Sequence, residues 1–167
     1  MSKVYFEVGG NLGDREHYLE RTKCLIAERI GFILRSSSIY ESEPWGFEHE
    51  NNFINQVLIV DTQLSPAQIL LEISFIEGVL GRERNASGYS ARTADIDILF
   101  YDQQIMFSPS LVIPHPYLHK RLFVLTPLEE LVPDLIHPLF SVTISELLAS
   151  CDDLTKVWKY QPVEVTD

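Results

Sequence analysis

Short apolar runs and amphipathic stretches alternate along the first part of the chain. A β-rich run at residues 4–8 is broken by the glycine-rich segment 9–13. Asp14 has the residue type of a helix N-cap, and apolar side chains recur on one face of the following segment as far as Ile30. The pattern predicts a strand, a tight turn and a helix that ends at Gly31.

Two further strands are predicted on either side of a polar loop. Residues 32–40 have the composition of a strand, whereas residues 41–52 are polar and include Pro44 and Gly46. Residues 53–60 are apolar on both faces apart from two amides, which predicts a central strand. The loop between these strands is long enough to have a function beyond connecting them.

A second helix carries a full set of start signals. Ser65 can cap the helix, Pro66 suits its first turn, and Gln68 completes a capping box. An apolar stripe then runs to Gly81, and a fourth strand follows at 93–101. The order β-α-β-β-α-β is that of the split βαβ, ferredoxin-like arrangement. We therefore predict an α+β fold in which a mainly antiparallel sheet holds two helices on one face and leaves the other face for a ligand.

The C-terminal third has weaker patterns. From residue 102 onward they predict a hairpin, short helices around residues 118–131 and 145–148, and a last strand at 157–160. We find no internal repeat, low-complexity segment or linker. The chain therefore reads as one domain over residues 1–167, with a core at about 3–135 and a C-terminal extension at about 136–167.

Composition narrows the class of protein. Apolar residues make up 46 % of the 167 residues, which is enough for a core, and the formal net charge is −11. Such a charge disfavours binding to nucleic acid or to an anionic membrane. There is no signal-peptide layout and no apolar run near the ~20 residues of a membrane span. Cys24 and Cys151 lack zinc-ligand spacing, so we predict a cytoplasmic enzyme with two free thiols.

The segment Asp95-Ile96-Asp97 is the sharpest chemical signal. Residues two apart on a strand point to the same face, so both carboxylates would project together from an otherwise apolar strand. Two neighbouring negative charges repel, and a bound cation removes that difficulty. Hard oxygen ligands suit Mg²⁺. On this motif alone, a solvent-facing strand end with a salt bridge is an equally good explanation.

Three of the eight arginines, Arg82, Arg84 and Arg92, come just before the two aspartates. The planar guanidinium suits phosphate oxygens, and arginines beside metal-binding carboxylates form the two halves of a polyphosphate site. Neutralisation of an acidic surface is the alternative. The turn-prone residues 85–88 within this segment favour a loop that closes over a nucleotide.

Two more groups of residues have site chemistry. Phe53 and Asn55 share a strand face, so a ring and a carboxamide can together hold a flat heterocycle, with Phe123 as the opposite stacking partner. Core packing of both phenylalanines is the alternative. His115 lies in the rigid Ile-Pro-His-Pro segment 113–116, close to Arg121, and we expect it to contact phosphate.

Together these residues resemble the 6-hydroxymethyl-7,8-dihydropterin pyrophosphokinase family of folate biosynthesis. The segment 92–99 is similar to the family signature R-x-x-D-[LIV]-D followed by two aliphatic residues. Residues 113–116 are the second anchor, and the resemblance runs from residue 8 to residue 128. It implies a ferredoxin-like core that transfers pyrophosphate from Mg·ATP to the pterin hydroxymethyl group and releases AMP.

The resemblance also implies roles for individual residues. Two Mg²⁺ ions would be held by Asp95 and Asp97. The catalytic residues would be Arg82, Arg92, Asp95 and Asp97; the ATP contacts would be Glu77, Arg82, Arg84, Arg92, His115 and Arg121; and the pterin contacts would be Ser42, Pro44, Trp45, Phe53, Asn55 and Phe123. Asp97 is the expected carboxylate nearest the attacking hydroxyl. We expect small-molecule substrates only, and a monomer.

Two positions depart from the family pattern. Gly88 stands where a charged residue is usual, Ser90 where Gly or Ala is usual, and Tyr89 lies between them. These changes predict a looser or differently ordered closure of residues 82–92 over the ligands.

Two other functions stay open at this point. Another Mg²⁺-dependent nucleotidyl or phosphoryl transferase can use an Asp-x-Asp pair on the same fold, and it would release ADP or pyrophosphate instead of AMP. A non-catalytic ligand-binding domain would bind without turnover, and it would have no reason to group three arginines beside two aspartates. The chain has neither a P-loop nor a G-x-G-x-x-G motif.

Overall fold

The computed structural model describes residues 1–45, 51–81 and 93–162. These residues form an α+β fold that is built around one sheet. The strands are β1 Ser2–Gly10, β2 Gly31–Ser36, β3 Tyr40–Ser42, β4 Phe53–Thr62, β5 Asp95–Tyr101, β6 Met106–Phe107, β7 Val112–Ile113 and β8 Val157–Lys159. The helices are α1 Arg15–Arg29, α2 Pro66–Val79, α3 Leu122–Leu131 and α4 Ile144–Ser150, with a 3₁₀ turn at Leu118–Lys120.

The six-stranded sheet has the order β5-β1-β4-β3-β8, and β2 also pairs with β4. All of its pairings are antiparallel. The long strands β1 and β4 lie at the centre, and the apolar sequence of residues 53–60 predicted this position for β4. The ferredoxin-like α+β prediction is therefore confirmed. The two short strands β6 and β7 form the predicted hairpin, and β8 extends the sheet beyond β3.

Helices α1 and α2 cover one face of the sheet. Asp14 caps α1 by accepting a hydrogen bond from the His17 backbone N–H at 3.1 Å. Ser65 and Gln68 form the predicted capping box at the start of α2, which satisfies two backbone groups left open by the helix end. The apolar side chains beneath these helices come from alternate positions of β1, β4 and β5 and include Val4, Phe6, Val8, Ile54, Leu58 and Ile96.

The opposite face is only partly covered. A second apolar cluster lies on this face. In it, side chains of α3 such as Leu125 and Leu128, together with those of α4, pack against the strand residues Tyr5, Val57 and Ile59. Polar residues follow on this face towards the ends of the strands, where Glu7 and Asn55 are buried. This face of the sheet therefore has an apolar half, which α3 and α4 cover, and a polar half.

The predicted single strand at 32–40 is two strands. Both β2 and β3 pair with β4, and Ser37 lies between them. The hydroxyl of Ser37 accepts from the Val57 backbone N–H at 2.9 Å, and its carbonyl accepts from the Gln56 side chain at 2.6 Å. These side-chain contacts replace part of the regular ladder, which explains the break.

The helices are of ordinary globular length, and α1, the longest among the described residues, has 15 residues. In the part of the chain that the structure describes, no helix combines the length and the hydropathy needed to cross a bilayer.

Candidate active site

Three carboxylates meet where β1 and β5 pair. Glu7 lies directly opposite Asp97, and Gly9 lies opposite Asp95. Directly opposed residues of an antiparallel pair share a face, so all three carboxylates point the same way. One oxygen of each lies within 4.8 Å of the others. Glu7 is 1 % exposed and Asp95 is 9 % exposed, whereas Asp97 is half-buried.

Such an arrangement fits a divalent cation. Three like charges at this spacing repel one another, and burial increases the cost. Hard oxygen donors are the ligands that Mg²⁺ prefers, and it usually takes one or two carboxylates and completes its shell with water and phosphate oxygens. Sequence reasoning missed Glu7. The available signal was a charged residue inside the apolar run at 4–8, where only a partner on a neighbouring strand makes an acid tolerable.

A cleft of about 340 Å³ opens beside β5 at the edge of the sheet. Its walls come from α2, β5 and the β6–β7 hairpin, and they include Glu77, Asp97 and His115. Glu77 is buried, and its Oε2 accepts a hydrogen bond from the Ile96 backbone N–H at 3.0 Å. This bond ties α2 to the strand that carries the two aspartates.

His115 is held in one tautomer. Its backbone N–H donates to the Leu99 carbonyl at 3.0 Å, and its Nδ1 accepts from the Tyr117 backbone N–H at 3.1 Å. Burial lowers the pKa of His115 to about 4; the nearby Arg121 acts in the same direction, and Asp95 opposes it. At neutral pH the ring is therefore uncharged with its proton on Nε2, so it can donate a hydrogen bond from that atom.

Aromatic rings surround the guanidinium of Arg121, which is 7 % exposed. Its central carbon lies 4.5 Å from the Trp45 ring centroid, 5.4 Å from that of Tyr117 and 5.6 Å from that of Phe123. A cation within about 6 Å of a ring face is attracted by it. We call Trp45, Tyr117 and Phe123 the aromatic box. It includes Trp45 and Phe123, which the family resemblance assigned to the pterin, and Tyr117, which sequence reasoning missed.

Ser42, Phe53 and Asn55 lie together where β3 pairs with β4. Ser42 is directly opposite Phe53, and both Ser42 and Asn55 are buried. The Asn55 amide lies between the Ser42 hydroxyl and the Glu7 carboxylate. With its nitrogen towards Glu7, Asn55 donates to Glu7 Oε1 at 2.5 Å, and its oxygen accepts from Ser42 Oγ at 3.3 Å. The reverse orientation would set an amide oxygen against a carboxylate.

The structure thus brings most of the candidate residues to one end of the sheet. Asp97, Glu77 and His115 line the cleft beside β5, and Asp95 lies two residues before Asp97 on the same strand. Ser42, Phe53 and Asn55 lie across β1 from β5. Pro44 and Trp45 directly follow β3 and are half-buried. Arg82, Arg84, Arg92, Gly88, Tyr89 and Ser90 lie outside the described residues.

Comparison with known proteins gives a consistent result. A family model described as 7,8-dihydro-6-hydroxymethylpterin-pyrophosphokinase (HPPK) matches residues 5–133. The 2-amino-4-hydroxy-6-hydroxymethyldihydropteridine pyrophosphokinase of Aquifex aeolicus is 38 % identical over 146 residues, which cover 87 % of this chain and 90 % of the relative. The enzyme of the same name from Porphyromonas gingivalis (strain W83) is 40 % identical over 141 residues, covering 83 % and 95 %.

Solved structures agree on the fold. The wild-type HPPK-DHPS of Plasmodium falciparum superposes with a TM-score of 0.72 at 16 % identity over 89 % of this chain. This chain spans 44 % of that longer one, so the likeness concerns one part of it.

The family match and the two relatives agree in the name of the enzyme, and ATP use with a general dependence on Mg²⁺ is a property of the family. The chain therefore belongs to the 7,8-dihydro-6-hydroxymethylpterin-pyrophosphokinase family, and it transfers a pyrophosphoryl group from ATP to the hydroxymethyldihydropterin of folate biosynthesis.

Proposed function

We propose that Asp95 and Asp97 hold two Mg²⁺ ions during this transfer. The observation that carries the proposal is the meeting of their carboxylates with that of Glu7 within 4.8 Å on one face of the sheet. This donor set fits the ion, because its oxygens are hard, charged and held on rigid strands. When bound, Mg²⁺ would neutralise charge on the ATP phosphates and align them.

The ATP side of the site would lie along the cleft beside β5. Glu77 and His115 line this cleft. The neutral imidazole of His115 would donate its Nε2–H to a phosphate oxygen, and Arg121 would contribute a charge whose orientation is set by the aromatic box. Arg82, Arg84 and Arg92 complete the proposed set of phosphate contacts on the strength of the sequence motif.

The pterin side would lie across β1. Phe53 and Phe123 would stack on the heterocycle, while Asn55, Ser42 and the backbone at Pro44 and Trp45 would read its edge. Asn55 suits this role because its buried amide lies between the Ser42 hydroxyl and the Glu7 carboxylate, two groups that can orient it. A preoriented amide loses less entropy when a ligand binds.

The transfer forms a bond between the pterin hydroxymethyl oxygen and the β-phosphorus of ATP. The bond from that phosphorus to the α-phosphate bridging oxygen breaks, and AMP leaves. The hydroxyl proton needs an acceptor, and Asp97 is our hypothesis for it. The remaining contribution of the protein is alignment and charge stabilisation, which are the main requirements of phosphoryl transfer. We further propose a single-domain monomer that works in the cytoplasm.

The test is to incubate the protein with ATP, Mg²⁺ and 6-hydroxymethyl-7,8-dihydropterin and to quantify AMP, with Asp95→Ala as the control. We expect AMP only when all three components are present, and none above background from the variant. Release of ADP or pyrophosphate in place of AMP would overturn the proposal. Equal AMP from Asp95→Ala would remove Asp95 from the metal site.

A further inference from the structure

Glu7 has an unusual position for a carboxylate. It lies in the middle of the central strand β1, is 1 % exposed, and has apolar residues on both sides along the chain. A buried acid is costly unless other groups compensate it. The assigned roles of the site use Asp95 and Asp97 and leave Glu7 without one.

Two contacts explain what Glu7 can do. On one side it faces Asp97 across the β1–β5 pairing, and its oxygen lies within 4.8 Å of both aspartates. On the other side its Oε1 lies 2.5 Å from the nearer end of the Asn55 amide, which makes a hydrogen bond when the amide nitrogen points to Glu7. A single carboxylate therefore lies within 4.8 Å of the proposed metal ligands and next to the proposed pterin contact.

The close approach on the Asn55 side depends on Gly9. Gly9 is directly opposite Asn55 on β4 and directly opposite Asp95 on β5. A side chain at position 9 would collide with the Asn55 amide and the Ile54 carbonyl. Because the position is open, Asn55 can reach past it to Glu7, two residues away along β1.

We propose that Glu7 is a positioning residue that orients the Asn55 amide for the pterin and adds its negative charge to the metal centre. The hydrogen bond to Glu7 decides which end of the Asn55 amide points to Ser42. The carboxylate charge strengthens cation binding at Asp95 and Asp97. This proposal rests on the proposed function, which assigns the pterin to Asn55 and the metal to the two aspartates.

Two substitutions separate the two contributions. Glu7→Gln keeps an oxygen acceptor for Asn55 and removes the charge, whereas Glu7→Ala removes both. We expect Mn²⁺ affinity, measured by electron paramagnetic resonance without nucleotide, to fall about tenfold in both variants. We expect pterin affinity, measured by calorimetry, to fall at least about tenfold in Glu7→Ala and to stay within about threefold in Glu7→Gln.

A double variant tests whether Glu7 acts through Asn55. We expect Asn55→Ala to weaken pterin binding and leave Mn²⁺ affinity unchanged, and Glu7→Ala/Asn55→Ala to bind pterin no worse than Asn55→Ala alone. Additive losses in the double variant, or wild-type pterin affinity in Glu7→Ala, would overturn the positioning role. Should Glu7→Ala fail to fold, Glu7→Gln still decides the charge contribution, because unchanged Mn²⁺ affinity there contradicts it.

The outcomes are distinct from failure of the proposed function. If the wild-type protein forms no AMP, the proposed function fails first. If the wild-type protein forms AMP while Glu7→Ala binds pterin and Glu7→Gln binds Mn²⁺ like the wild type, only the role of Glu7 is wrong.

Discussion

The guanidinium carbon of Arg121 lies 4.5 Å from the centroid of the Trp45 ring. Trp45 follows β3, beside the proposed pterin contacts, and Arg121 is the residue before α3. Two segments 76 positions apart in the chain thus meet at one cation–ring contact. The contact joins the pterin side of the site to a proposed phosphate ligand.

We expect Trp45→Ala to raise the KM for ATP severalfold with a smaller change in kcat. A desolvated cation–ring contact contributes about 1–2 kcal/mol, and without it Arg121 must be ordered when ATP binds. Steady-state kinetics with ATP varied at saturating pterin measures the change. Trp158→Phe is the control, because Trp158 is not part of the aromatic box. It lies on β8, and its indole N–H donates to Glu41. A KM for ATP equal to that of the wild type would contradict the role of the aromatic box.

We expect Asp97→Asn to lower kcat by at least about 10²-fold, the usual cost of removing one group that stabilises a transition state electrostatically. The substitution keeps the size of the side chain and removes its charge. AMP formation under saturating substrates is the measurement, and urea unfolding of the same sample checks that the fold is intact. Normal turnover together with normal Mn²⁺ binding would show that Asp97 is neither the base nor a ligand.

We expect Gly9→Ala to destabilise the protein and to weaken pterin binding. The added Cβ would collide with the Ile54 carbonyl and with the Asn55 amide, so β1 and β4 must move apart where the site is built. Gly78→Ala is the control, because a Cβ there meets no atom within 4 Å and glycine is unfavourable inside α2. In thermal unfolding, the midpoint of Gly78→Ala should equal or exceed that of the wild type, and the midpoint of Gly9→Ala should be lower. Equal midpoints for the two variants would contradict the steric argument.

We expect the free energy of unfolding to fall as the pH drops from about 6.5 to about 4, with a contribution from His137. Burial, and then the charge of His119, lowers the pKa of His137 to about 4, whereas an unfolded histidine titrates near 6.5. Between these two pH values the unfolded chain binds more protons than the folded one. The contribution of His137 to the free energy of unfolding is therefore complete above about pH 6.5 and is lost as the pH falls to about 4. The Nδ1 of His137 accepts from the Leu139 and Phe140 backbone N–H groups, which requires the neutral ring.

The measurement is urea unfolding between pH 7.5 and 4 for the wild type, His137→Asn and His17→Asn. Asparagine retains an acceptor and does not titrate, so His137→Asn should lose less stability over this window than the wild type. His17 is exposed on α1, and its variant should follow the wild type. The same pH slope in all three proteins would rule out a contribution from His137.

The amino-acid sequence by itself determined the order of the elements and the local chemistry. Helix caps act over three or four residues and strand alternation over two. The capping roles of Asp14 and Ser65 and the shared face of Asp95 and Asp97 could therefore be predicted from neighbouring positions. The family signature lies in one such contiguous segment. The break between β2 and β3 at Ser37 could not be predicted in this way, because it depends on hydrogen bonds with Gln56 and Val57 on another strand.

The tertiary structure decided which distant residues share the site. Glu7 joins the aspartates only because the register of β1 against β5 sets it opposite Asp97. A shift of that register by one residue would turn Glu7 to the face covered by α1 and α2. Trp45 meets Arg121 only because α3 packs on the face of the sheet that α1 and α2 leave open. Local propensity specifies each strand and helix, whereas pairing register and layer packing, which act between residues far apart in the chain, specify the site.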